Sequence, residues 1–278
     1  MSLPILLAVL GSALLHALWN ALIKTGTSRL GATVILSLGE VPIGLAVALF
    51  CKAPTWQVMP WVIASGCTHF FYKFFLTYAY ARGDLSRVYP LARGTAPLLV
   101  GLISAGFLTE PLTLHQFAGI MLLGFGILMM AGGVIFGDEN RKMIPFALGS
   151  AVATALYTLI DGHGARVSGD AVGYVAWVFI ADGGFFAAGI LAWKGTAILP
   201  PFGKPWRAGL IAAAASYAAY GISVWAMTVA PIALVAALRE TSILFAVLIG
   251  WLFFAEKISR AKALAALVII FGVLLTRL

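Results

Sequence analysis

Apolar residues run along this chain in long, nearly unbroken stretches. Each is close to the roughly 20 residues that a helix needs to cross the hydrocarbon core of a bilayer. Ten such stretches can be marked, near 3–23, 31–50, 58–80, 88–108, 114–134, 145–165, 171–193, 206–229, 233–254 and 260–276. The pattern predicts an all-α membrane protein of ten transmembrane helices with short connections and no soluble domain. The first stretch lacks a basic start and a small-residue cleavage site. It carries His16, Trp19 and Asn20, and so reads as a retained helix and not a signal peptide.

Composition agrees. Hydrophobic residues make up 62% of the 278 residues, charged residues 10%, and the mean hydropathy is +1.02. A soluble domain has about a quarter of its residues charged, so lipid is the solvent for most of this surface. The net charge of +8 does not form a nucleic-acid patch, because the basic residues are spread over helix ends. Loops after odd-numbered helices hold twelve lysines and arginines, among them Lys24, Arg82, Arg141, Lys204 and Lys257. The other loops and the termini hold three, Lys52, Arg166 and Arg277. The positive-inside rule then places the odd loops in the cytoplasm and both termini outside, in a multi-pass inner-membrane protein. The two cysteines, Cys51 and Cys67, form no disulfide framework or zinc site and are expected to be buried. No HExxH, P-loop or GxSxG pattern occurs, so neither nucleotide nor metal nor any cofactor is implied.

The chain also repeats itself. Gly11-Ser12-Ala13 and Ala17-Leu18-Trp19 return as Gly149-Ser150-Ala151 and Ala155-Leu156-Tyr157. Arg93, Thr95, Leu98, Leu102, Phe107, Glu110, Phe125 and Gly126 return 146 residues later, without a gap, as Arg239, Thr241, Leu244, Leu248, Phe253, Glu256, Phe271 and Gly272. The expected division is a first repeat over 1–137 and a second over 138–278. Five helices per repeat is an odd number, so the copies insert in opposite directions. The basic character of equivalent loops is exchanged accordingly. Two inverted five-helix repeats around a central cavity are a common plan of secondary transporters, with substrate held near the midplane.

The runs Arg82-Gly83-Asp84-Leu85-Ser86, Tyr89-Pro90-Leu91, Arg93-Gly94-Thr95-Ala96-Pro97 and Leu108-Thr109-Glu110-Pro111-Leu112 resemble the EamA-type branch of the drug/metabolite transporter superfamily. Trp19-Asn20 followed by Lys24 is similar to the same pattern. The resemblance covers the whole chain, although Ala255-Glu256-Lys257-Ile258 keeps the glutamate without the proline. It implies ten helices around a cavity and a small-molecule substrate. Aromatic amino-acid exporters of the superfamily are the nearest analogy.

Ionisable groups inside a membrane are costly and face the bundle interior, a partner or a ligand. On the first helix Ser12, His16, Trp19 and Asn20 share a face, matched on the sixth by Ser150, Thr154, Tyr157 and Thr158. These stripes either line a shared cavity or bond helices together. His69 and Lys73 lie one turn apart on the third helix, with Tyr80 further along. Lys73 could meet a substrate carboxylate or pair with Glu40. Arg93 and its repeat mate Arg239 could grip a carboxylate. Equally, they could act as a gate or an interhelical staple with Glu240. Glu110 and Glu256, at helix ends, suit capping. Glu40 and Asp182 stand beside Gly39, Pro42, Gly183 and Gly184, where an interrupted helix could expose backbone to a coupled proton. Tyr89, Tyr217, Tyr220 and Trp225 complete the candidate cavity wall. The glycines Gly101, Gly119, Gly124 and Gly126 would permit close helix packing.

The expected function is alternating-access transport of a small amphiphilic or zwitterionic metabolite, such as an amino acid. A lipid-headgroup flippase is a neighbouring reading. The reading from a different class is an intramembrane aspartyl protease built on Asp161 and Asp182. It lacks a Gly-x-Gly-Asp motif around either acid.

Overall fold

A computed structural model of the chain describes residues 1–22, 28–82, 85–107, 110, 112–130, 141–254 and 259–278. Lys24, Glu256 and Lys257 therefore lie outside the described residues. The helices are α1 (Leu3–Leu22), α2 (Arg29–Ala48), α3 (Met59–Tyr80), α4 (Leu85–Phe107), α5 (Leu114–Met129), α6 (Ile144–Ser168), α7 (Ala171–Lys194), α8 (Lys204–Val229), α9 (Ile232–Arg239), α10 (Ser242–Phe254) and α11 (Arg260–Leu275). Local signals set their ends. Ser28, Thr113, Asp170 and Ser259 each accept a backbone N–H at the start of α2, α5, α7 and α11. Gly169, at φ 66°, ends α6 in the left-handed conformation that glycine adopts without steric cost.

Within the described residues, the ten expected stretches are helical, with one difference. The ninth is divided into α9 and α10 at Glu240–Thr241. Successive bonds there run to the third preceding residue, from Glu240 N to Ala237 O, Thr241 N to Leu238 O and Ile243 N to Glu240 O. The helix tightens for a turn without opening, and the Thr241 hydroxyl also donates to Leu238 O at 2.7 Å.

Conversely, the interruptions expected near Glu40 and Asp182 do not occur. α2 continues through Pro42, and α7 through Gly183 and Gly184. The glycines there serve close approach. A Cβ on Gly39 would lie 2.8 Å from Ala213 Cβ, and one on Gly183 would lie 2.7 Å from Ser37 O.

Among the described residues, six segments are long and apolar enough to cross a membrane: Leu3–Leu22, Arg29–Ala48, Arg141–Ser168, Ala171–Lys194, Lys204–Val229 and Ile232–Leu252. α3 and α4 are as long but more polar, since they carry His69, Lys73, Arg87 and Arg93. α5 and α11 have 16 residues each. Large apolar side chains such as Leu7, Phe71, Phe125, Trp251 and Phe271 are exposed on the outside, as lipid contact requires.

Helix contacts follow the repeat. α2 packs on α7, and α5 on α11, each helix meeting its own repeat mate. α3 packs on α6 as α1 packs on α8, and α3 packs on α7 as α2 packs on α8. The α5–α11 contact depends on two glycines. A Cβ on Gly119 would stand 2.7 Å from Gly272 O, and one on Gly272 would stand 2.8 Å from Leu123 N.

Because those obstructing atoms are backbone, Gly119→Ala is expected to force the helices apart at a cost of about 1–3 kcal/mol. The lowered melting temperature of the purified protein would report it. Gly11→Ala is the control, since nothing lies within 4 Å of a Cβ there. Equal melting temperatures for the two variants would contradict the close approach.

Candidate functional site

Ser65, His69 and Lys73 are spaced four residues apart on α3 and form an inward-facing ladder. At its Lys73 end, the ammonium group donates to Asp182 Oδ2 on α7 at 2.8 Å, to Glu40 Oε2 on α2 at 3.3 Å and to Ser37 Oγ at 2.9 Å. Ser216 on α8 donates to the other Glu40 oxygen at 2.9 Å. All five side chains are buried. Two carboxylates thus share one ammonium, and Asp182 Oδ1 has no hydrogen-bond partner.

At the His69 end, Asp161 on α6 accepts from the Tyr174 hydroxyl at 3.0 Å and from the Tyr220 hydroxyl on α8. His69 Nδ1 lies 3.9 Å from the same carboxylate. The imidazole stacks on Tyr157 at 4.0 Å between ring centres and meets Tyr220 edge-on at 5.4 Å. Tyr72 closes on Tyr157 at 5.5 Å.

The third group joins the two repeats at the tightened turn. Arg93 Nε on α4 is 2.7 Å from Glu240 Oε2, and Arg239 Nη2 is 3.7 Å from Glu240 Oε1. Arg93 Nη2 donates to His16 Nε2 on α1 at 2.9 Å, because a guanidinium can only donate. Arg239 donates to the Tyr157 hydroxyl at 3.3 Å and lies over the rings of Tyr157 and Tyr220 at 5.9 and 5.5 Å. The rings of Tyr157 and Tyr220 therefore lie between Arg239 and Asp161.

These groups unite His16, Glu40, His69, Lys73, Arg93, Tyr157, Asp161, Asp182, Tyr220, Arg239 and Glu240 from the sequence-based set. Others are placed elsewhere. Trp225 is 42% exposed and stands apart from these groups on α8. It is spaced five residues from Tyr220, and so falls on a different side of the helix. Tyr217 packs on Phe179 at 4.8 Å, and Tyr80 lies under Arg29 at 4.6 Å, away from Lys73. Tyr89 is on α4, but its side chain is outside what is described.

The α1 stripe divides. His16 joins Arg93, and Trp19 meets His16 edge-on at 5.0 Å while packing beside Leu36, Ala212 and Ala213. Asn20 donates to the His16 carbonyl at 2.8 Å, and Ser12 bonds to Ala219 O and Ser223 Oγ of α8 as interhelical glue. Asp161 and Asp182 are held by different partners, phenols for one and Lys73 for the other, so they share no proton.

Four polar contributors escaped sequence reasoning, among them Ser65, whose hydroxyl lies 3.2 Å from His69 Nδ1. Tyr174, Ser37 and Ser216 hold Asp161, Lys73 and Glu40. Ser37 could have been found from its place one turn before Glu40 on the same helix face. Glu110 does cap, but across the repeats: it accepts from Ile232 N at 2.9 Å and pairs with Arg166, which in turn donates to Met227 O and Ala230 O. Cys67 is exposed and Cys51 half-buried, contrary to expectation, because α3 turns Cys67 away from its polar face.

Lys73→Met would leave Glu40 and Asp182 buried without their cation, at an expected cost of about 3–5 kcal/mol. The triple variant Lys73→Met, Glu40→Gln, Asp182→Asn should recover part of that loss. Melting temperatures of the purified variants would show it. A Lys73→Met protein as stable as the original would contradict the charge-pairing described here.

Comparison with known proteins finds one family twice along the chain. The EamA-like transporter family matches twice, over residues 3–132 and 141–278. No curated protein matches the chain. Among solved structures, 29 chains match. One, described as "Crystal structure of protein", superposes with a TM-score of 0.77 at 21% identity, covering 99% of this chain and 98% of that one. That likeness concerns the fold alone. With the family present in both halves, the chain belongs to the EamA-like transporter family and is a multi-pass membrane protein.

Proposed function

We propose that this protein carries a small amphiphilic or zwitterionic metabolite, such as an amino acid, across the cell's inner membrane by alternating access. In this reading all ten helical stretches cross the bilayer, the two repeats are inverted, and both termini lie outside. One observation carries the proposal: the interior ion pairs cross from one repeat to the other. Lys73 pairs with Asp182, Arg93 with Glu240, and His69 lies beside Asp161. Rocking of one repeat against the other must break and remake such contacts, whereas a static scaffold has no need of them. Substrate would enter among Tyr157, Tyr220, His69 and the arginines, where aromatic faces and fixed charges meet.

Glu40 and Asp182 supply the coupling. Their single shared cation leaves the buried group short of one positive charge, which a proton restores. As Lys73 shifts between acids during rocking, that proton can be taken up on one side and released on the other.

Purified protein in liposomes tests this directly. A pH gradient is expected to drive accumulation of a labelled amino acid. Glu40→Gln together with Asp182→Asn should remove at least about tenfold of the gradient-dependent rate. Transport whose pH dependence is unchanged in that double variant would sink the coupling role.

A further inference from the structure

Arg93 and Arg239 hold the same place in the two repeats, but the residues after them differ. Gly94 follows the first and Glu240 the second. Two copies built alike would bring either two acids or none to this point, and this chain brings one. Gly94 is closely packed: a Cβ there would lie 3.1 Å from Ile127 Cγ2 and from Leu128. A side chain on that side would have to push Ile127 and Leu128 aside. Arg93, Arg239 and Glu240 together carry one net positive charge, in side chains 2–3% exposed.

The imbalance is local to Arg239. Glu240 approaches Arg93 at 2.7 Å but stays 3.7 Å from Arg239, beyond hydrogen-bond reach. Arg239 Nε is buried without a hydrogen-bond partner among the described residues, and the guanidinium also meets the Tyr157 hydroxyl and two ring faces. A guanidinium offers paired donors that match a carboxylate. Beside it, Tyr157 stacked on His69, with Tyr220 edge-on, makes a flat wall. Asp161, the acid behind that wall, already accepts from two phenols.

We propose that Arg239 is the docking point for a carboxylate on the transported solute, and that Glu240 is the chain's own competitor for that place. The recognised class is a monocarboxylate bearing a flat or aromatic group. An ammonium group is not required, because Asp161 already accepts from two phenols and Glu240 is already paired with Arg93. This rests on the transport reading and names its ligand. Glu240 prevents the empty site from trapping anions and yields to the substrate by turning fully to Arg93.

The test is thermal stabilisation of the purified full-length protein by matched pairs, phenylacetate against phenylacetamide and phenylalanine against phenylalaninamide. The carboxylates are expected to bind at least about tenfold more tightly than their amides. Glu240→Gln should tighten phenylacetate binding, and Arg239→Gln should abolish it. Amides that bind as well as carboxylates, or an absence of any carboxylate-induced shift, would overturn the inference in the unmodified protein, whatever the variants do. Weaker binding of phenylacetate by folded Glu240→Gln would also overturn the competitor role. Phenylacetate that binds as described but is never carried into liposomes overturns transport of this class and leaves only the carboxylate docking at Arg239. Amines or sugars carried without carboxylate preference do the reverse.

Discussion

Glu240 stands between two arginines that the repeat brings together, and the arrangement of the interior depends on it. A guanidinium buried in a membrane protein must find a counter-charge inside the bundle. Arg93 finds it in the opposite repeat. That requirement brings α4 against the turn between α9 and α10, where the helix tightens and Thr241 satisfies a carbonyl with its own hydroxyl. It also draws His16 of α1 onto Arg93 and Tyr157 of α6 onto Arg239. Four segments are thus positioned around one carboxylate.

Buried ion pairs of this kind contribute little net stability, because desolvation offsets most of their attraction. The packing that stabilises the bundle lies elsewhere, in close helix approaches at Gly39, Gly119, Gly183 and Gly272 and in apolar clusters such as Val100, Ile120, Ile127, Ile232 and Leu234. The charged groups form three adjoining sets linked by α3 and by the tyrosines: the acids on Lys73, the phenols on Asp161, and the arginines on Glu240. At one end of the bundle, Glu110 and Arg166 tie α6, α8 and the start of α9 together. Interactions that cost as much as they return suit a protein that exchanges them.

Much of this was legible in the sequence. Long apolar stretches located the helices, and rare Arg and Glu residues at a constant spacing revealed the repeat, since rarity makes coincidence improbable. Lys73 was readable as a partner of Glu40 because a mid-helix lysine must be paired, but its shorter contact to Asp182 depends on packing of α3 against α7. Glycine beside an acid was misleading. At Gly39 and Gly183 it marks helix contact and not a break, and a single sequence contains no signal that separates the two. The actual tightening at Glu240 coincides with Thr241 and Ser242, whose hydroxyls compete for backbone carbonyls, as Thr241 does at Leu238 O. Trp225 stands apart from the polar groups, and a sequence alone cannot separate the two settings, because aromatic residues line both cavities and lipid. The hydroxyls of Ser37, Ser216 and Tyr174 are common residue types whose roles emerge only once helices from both repeats meet.

Alternating access is the central claim, and the accessibility of Tyr157 tests it most directly. A Tyr157→Cys variant, with Cys51 and Cys67 replaced by serine, would be exposed to a membrane-impermeant thiol reagent from each side of oriented vesicles. The account predicts labelling from both sides, with a transported solute shifting the balance between them. Labelling from one side alone, under every condition of solute and pH, would contradict it.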